Sequence, residues 1–179
     1  MKKLITRFSE SAVLRFIVIY IILMGLFFLV IGLKSFKEVL DINGAYTSSI
    51  VFICSVITNM IGIPATYAGS LIKLPSIILD IEFGCNGLEA VMIYAVAVLA
   101  YPALWKQKSL GLLAGFFIIQ VLNIIRIAAL VYTGVHYKNL FDFFHVYIAQ
   151  GIMIAVSLAV FILYLYYISY LDAKNRPAE

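Results

Sequence analysis

The run FIVIYIILMGLFFLVIGL, Phe16–Leu33, holds 18 residues and no charged side chain. A helix of about 20 apolar residues crosses a bilayer core, and about 17 is the lower limit. Lys2, Lys3, Arg7 and Arg15 precede the run, as in a signal peptide, but no convincing small-x-small cleavage site follows it. It reads as an uncleaved membrane anchor. The rest of the chain agrees. Of 179 residues, 64% are apolar and 12% charged, and the mean hydropathy is +1.07. A soluble domain of this size needs far more polar surface. The net charge of +4 does not suggest nucleic acid in such a chain; it records where lysines and arginines anchor loops. Cys54 and Cys85 make no disulfide framework, and nothing in their spacing supports a bridge between them.

Four segments are apolar enough to span, at about 13–33, 87–104, 109–131 and 145–170. Lipid offers no partner to a bare backbone, so each is expected to be helical. Lys2, Lys3, Arg7, Arg15, the Trp105-Lys106-Gln107-Lys108 turn, Lys174 and Arg176 fall on one side of this arrangement. Lys34, Lys37, Lys73 and Lys138 fall on the other, countered by Glu38, Asp41, Asp80, Glu82 and Asp142. The positive-inside rule then puts both termini in the cytoplasm. Residues 46–63 are the awkward stretch. Ser48, Ser55, Asn59 and Gly62 line one helical face, interrupted by Phe52. If this stretch crossed, the basic N-terminus would be forced outside. An amphipathic helix lying at the outer interface, or dipping into it, is the preferred reading, with a five-span arrangement as the alternative. In residues 64–84, Leu79, Ile81 and Phe83 alternate with Asp80 and Glu82, and Gly69 and Pro75 punctuate the stretch. A β-hairpin outside the membrane is expected there. The expected fold is an all-α polytopic membrane protein. It is one integral domain over 1–179, with about four transmembrane helices, an outer interfacial or re-entrant helix and a short extracytoplasmic hairpin.

Three reactive side chains fall at one end of these spans: Cys85 before the second, Arg126 near the end of the third, and His145 opening the last. A thiol just before a helix feels the positive end of its dipole, which favours thiolate. Gly84 and Gly87 flank it and let a substrate backbone approach. The competing reading is an inert buried cysteine, which is the preferred one for Cys54. An arginine within an apolar helix is costly and faces protein or water. Arg126 either snorkels or pairs with an acid such as Glu89, or it binds a carbonyl or an oxyanion. Asn123, three residues earlier, shares its face. His145 suits an acid/base role toward the thiol, with Asp142 one turn upstream to orient the ring. His136 is the rival base, placed in the connecting loop. The set supports acyl transfer and needs no metal or other cofactor. Two other classes compete. One is a small transporter or assembly subunit in which Arg126 binds an anion with Glu89 as its partner. The other is a membrane acyltransferase acting on lipid.

Cys85-Asn86-Gly87 after a strand-like run, Asn123-x-x-Arg126-Ile127 in the next span, and His145 before the last resemble the exosortase/archaeosortase family. Ile61-Gly62-Ile63-Pro64, Gly69 and Leu74-Pro75 resemble the approach to that family's cysteine, and Cys-Asn-Gly-Leu-Glu-Ala looks most like exosortase H. The resemblance covers about residues 55–150. It implies a multipass cysteine transpeptidase that cleaves C-terminal sorting signals of exported proteins, each a short motif, a hydrophobic helix and a basic tail. For exosortase H the implied motif is similar to Ile-Pro-Thr-Leu. Carried over, Cys85 is the nucleophile, Arg126 the carbonyl or oxyanion ligand and His145 the acid/base. Asn123 and Glu89 support Arg126, and the acceptor nucleophile is open. Many members have serine where this chain has Asn86, so the resemblance assigns Asn86 no catalytic part.

Overall fold

The structure is a computed structural model that describes residues 11–32, 42–81, 84–137, 141, 145 and 149–175. These form helices α1 (Ala12–Gly32), α2 (Ile42–Met60), α3 (Leu88–Ala100), α4 (Trp105–His136) and α5 (Ala149–Asn175). Three short strands lie between α2 and α3: β1 (Thr66–Ala68), β2 (Leu71–Lys73) and β3 (Ile78–Asp80). Among the described residues, three helical stretches are long and apolar enough to cross a membrane: Ala12–Val30, Trp105–His136 and Gln150–Lys174. The chain is thus a mostly helical membrane protein with a small sheet. Asp142 and its neighbours at 138–140, 143–144 and 146–148, with lysines 34 and 37, lie outside the described residues.

The segment expected as a span over 87–104 is helical only over Leu88–Ala100, 13 residues. At 1.5 Å per residue that is about 20 Å, against a hydrocarbon core of about 30 Å. Pro102 is the cause. Its ring clashes with helical backbone at the residue before it, and Tyr101 is extended (φ −73°, ψ 135°). The chain restarts at Trp105, where Gln107 Oε1 accepts from the Leu104 N–H at 3.0 Å. Lys108 Nζ donates to Leu99 O at 2.7 Å and lies 5.5 Å over the Trp105 ring. One lysine therefore caps α3, whose last carbonyls have no helical partner, and pins the basic turn.

The bundle core joins Ala90, Tyr94 and Val98 of α3 to Ile119 of α4 and Met153, Val160, Tyr164 and Ile168 of α5. Gly111 and Gly115 make the close approach possible. A Cβ at Gly111 would strike the Tyr164 ring, and one at Gly115 the Tyr94 ring. Small residues four apart are the usual means of bringing helices together in lipid, where apolar surface gains nothing by leaving solvent. Tyr94 completes the joint by donating its hydroxyl to Gly111 O at 2.7 Å. Helix α1 packs on α3, stacks Phe16 on Phe161 at 5.9 Å, and turns Ile21, Ile22 and Leu29 outward.

A second core caps one end of the bundle. It gathers Ile50, Val51 and Cys54 of α2, Ile72 and Leu79 of the sheet, Ile81, Cys85, and Ile127 and Val131 of α4. The expected hairpin is a three-stranded antiparallel meander, β1-β2-β3, with Ile72 paired to Tyr67 and Leu79. The alternation seen at Leu79 and Ile81 holds, since both are buried while Asp80 is exposed. The polar stripe assigned to 46–63 faces water only in part: Asn59 and Gly62 are exposed, Ser48 is half-buried and Ser55 lies inside. Ser55 is buried and donates to Phe52 O at 2.8 Å. Asn59 closes the end of α2, donating to Ala65 O at 2.8 Å and accepting from Ala65 N at 3.0 Å. Gly62 lies beyond the helix, and Phe52, Val56 and Met60 add an apolar part to the exposed side of α2.

Gly115→Ala is expected to cost about 1–3 kcal/mol by overpacking against Tyr94, read as a lower Tm in detergent. Tyr94→Ala in the same chain removes the clash, so the double variant should lose clearly less than the two single losses added together. Additive losses would place the two residues out of contact.

Candidate functional site

Trp105 anchors one end of α4, and Arg126 lies 21 residues on, about 30 Å along the helix. That is one hydrocarbon thickness. Arg126 therefore sits where α4 leaves the bundle core and enters the cap. Its side chain is only 9% exposed. Nη2 approaches Cys85 Sγ at 3.5 Å, and Nη1 donates to Asn123 Oδ1 at 3.2 Å and to Gly84 O at 3.4 Å. The suspected ion pair with Glu89 is not made. Among the described residues no carboxylate reaches Arg126, so its contacts are a thiol, an amide and a carbonyl. Its Nε and the Nδ2 of Asn123 are buried donors without a hydrogen-bond partner.

The turn that presents Cys85 is built for close approach. Gly84 and Gly87 have φ of 94° and 78°, the left-handed region that glycine enters without penalty. A Cβ on Gly87 would lie 2.7 Å from Asn123 Cγ, so only glycine lets the turn settle onto α4. Asn86, fully buried, locks the turn from the other side. Its Nδ2 donates to Thr47 Oγ1 at 2.9 Å, and its Oδ1 accepts from Leu88 N at 3.0 Å. The amide thus ties the turn to α2 and satisfies one of the free N–H groups that open α3. Thr47 was missed by sequence reasoning. It lies 39 residues from Asn86 and has no motif around it.

His145 completes the group. Its Nδ1 and Nε2 lie 3.9 and 3.8 Å from Cys85 Sγ. Near-equal distances put the sulfur on the plane that bisects the ring between its nitrogens, so a turn of the imidazole aims either nitrogen at it. Such loose contacts before substrate binds are usual for catalytic pairs. Phe141, four residues earlier, stacks on the ring at 5.4 Å and abuts Gly134 of α4. It holds the imidazole from the side; the orienting part foreseen for Asp142 falls outside the described residues. His136 is not in a loop but in the last turn of α4, exposed, with Nδ1 3.1 Å from Tyr132 O. Cys54 is 1% exposed within the cap core, and among the described residues neither cysteine forms a disulfide.

The structure thus brings Cys85, Arg126, His145 and Asn123 together, with Asn86 behind them. Asn86→Ala would remove the bonds to Thr47 Oγ1 and Leu88 N, an expected loss of about 1–3 kcal/mol. Thr47→Val removes one of the same bonds, so the double variant should lose less than the sum. Thermal unfolding in detergent measures all three, and full additivity would sever the link between α2 and the turn.

No curated protein and no solved structure matches the chain. One family does: the model of the transmembrane exosortase family (Exosortase_EpsH) matches residues 47–166, 120 of the 179. That stretch runs from Thr47 through Cys85, Asn123, Arg126 and His145 into α5, and the chain belongs to the transmembrane exosortase family.

Proposed function

We propose that the chain is a membrane cysteine transpeptidase or peptidase that cleaves the C-terminal sorting signals of exported proteins through a thioester acyl-enzyme. The observation that carries this reading is the convergence on one sulfur of a guanidinium at 3.5 Å and an imidazole at 3.8 Å, within the family-matched stretch. A buried cation with no carboxylate in reach among the described residues is best compensated by a thiolate, and a thiolate is the nucleophile acyl transfer needs. Cys85 Sγ attacks the scissile carbonyl. Arg126 Nε and Asn123 Nδ2, the two unpartnered donors, suit the oxygen as it gains charge. His145 protonates the leaving amine, and later takes a proton from the nucleophile that resolves the acyl-enzyme.

The membrane placement follows the charges. The site lies at the end of the bundle away from the Trp105-Lys106-Gln107-Lys108 turn. With that turn and both termini in the cytoplasm, the thiol lies on the periplasmic side of a bacterial inner membrane. Helix α2 belongs to the cap core and shares no buried residue with the bundle core, which supports a helix at the outer interface rather than a further crossing. Its apolar outer face suits immersion among lipid headgroups and upper acyl chains.

The decisive experiment is a thioester between Cys85 and a synthetic peptide bearing Ile-Pro-Thr-Leu, a hydrophobic helix and a basic tail, trapped by acid quench and read by mass. Cys85→Ala should leave the peptide uncleaved; cleavage surviving that change removes the thiol from the mechanism. Arg126→Lys and His145→Gln should each slow cleavage about 10²–10³-fold, the usual loss when one charge-stabilising or proton-transfer group goes. A membrane-impermeant thiol reagent added outside intact cells should label Cys85 once sorting peptide is absent, and labelling only from the cytoplasmic side would invert the orientation.

A further inference from the structure

Between the two glycines that flank Cys85, the first turn of α3 and the first turns of α5 lies a small cleft with room for about one water-sized group. Gly84, Gly87 and Ala90 form one wall, and Met153 and Ile154 the other. Two polar side chains enter it, Glu89 and Gln150. The mechanism above uses neither. Among the described residues Glu89 has no hydrogen-bond or ion-pair partner, and Gln150 has none either. A carboxylate in the first turn suits the helix dipole, but the dipole does not fix where the oxygens go. A Cβ built on Gly84 would lie 3.5 Å from Glu89 Oε2. The carboxylate therefore lies over the backbone immediately before the nucleophile, on the α5 side.

We infer that this cleft is the acceptor subsite, and that it takes a primary amine through Glu89 and Gln150. The inference rests on the cysteine transpeptidase reading. A carboxylate and an amide oxygen together match the N–H groups of an amine, and the apolar wall suits the carbon attached to it. The cleft admits a small amine head and is far too small for a helix. The arriving ammonium gives one proton to water. The neutral amine is held by hydrogen bonds to Glu89 and Gln150 with its lone pair toward the thioester. The N–C bond forms as the C–S bond breaks. The sulfur leaves as thiolate beside Arg126, and the remaining excess proton passes to His145, leaving a neutral amide. Water attacking the same thioester has no ammonium to place, so loss of the carboxylate should penalise aminolysis and spare the competition from hydrolysis.

The test uses the full chain in phosphatidylcholine vesicles with the Ile-Pro-Thr-Leu peptide described above. Glycinamide is offered in the aqueous phase and stearylamine in the bilayer, each in a separate arm. Mass spectrometry reads the ratio of amide to free acid. The wild-type chain should give amide, and the arm in which it forms identifies a water-borne or a lipid-borne acceptor. Glycolamide, with hydroxyl in place of amine, should give only acid. Glu89→Gln should lower the amide-to-acid ratio about tenfold, and Gln150→Leu, at an exposed position, about threefold. Should Glu89→Gln fail to fold, Gln150→Leu decides alone. Acid as the only product in both arms, or a ratio unmoved by these variants, overturns the acceptor assignment while leaving Cys85 as nucleophile. A wild-type chain that neither cleaves nor forms a thioester overturns the transpeptidase reading and this inference with it.

Discussion

A guanidinium taken out of water has to be answered by neighbouring groups, and the arrangement around Arg126 is the answer this chain makes. The cost of leaving a buried cation unpaired is several kcal/mol. Here the neighbours are Asn123 on the same helix, the Gly84 carbonyl and the Cys85 sulfur. Each comes with its own support. Asn123 lies against Gly87, so the turn must carry glycine there. The turn holds its shape through Asn86, and Asn86 needs Thr47, which needs α2 in place. The sheet and α2 are thus not ornaments on a helical bundle. They are the outer half of the cradle that keeps a thiol against a buried charge.

The bundle supplies the inner half. Helix α3 is short because Pro102 stops it, yet it approaches α4 and α5 closely because Gly111 and Gly115 accept tyrosine rings. Close packing fixes the height of α3 against α4, and so the height of Cys85 against Arg126. Interiors at this density do not slide by fractions of a turn without losing contacts on every side. The tyrosine contacts sit about two to three turns below the thiol, and they act as its elevation stop.

Much of this was legible in the sequence. The uncharged run at 16–33, the ordered appearance of cysteine, arginine and histidine, and the pairing of Asn123 with Arg126 all follow from spacing and from the rarity of such groups in apolar helices. Pro102 was equally visible, and its effect on Tyr101 is local, so the shorter α3 needed only that rule. The misreading of α2 has a different origin. Asn59 is on the exposed side as its place in the stripe suggested, but Ser55 is not, because Ser and Thr can return their hydrogen bonds to the preceding turn and lie inward. In lipid-exposed or interfacial helices the apolar side is the outer one. Two pairs were not read: Thr47 with Asn86, which depends on how distant segments meet, and Phe141 with His145. The first pair has no signal in the chain; the second could have been found from its i, i+4 spacing and aromatic type.

Among the described residues, the bundle core and the cap core share no side chain, and the three reactive groups lie on the seam between them. Two cores joined at a seam need not melt together. The cap is held by three-residue strands and one helix, the bundle by two long helices interlocked with the shorter α3. Heat or detergent should open the seam first. Sulfur, guanidinium and imidazole would then part while nearly all of the helix remained folded. In such a molecule helicity reports the integrity of the scaffold, and says little about whether the thiol still has its charge.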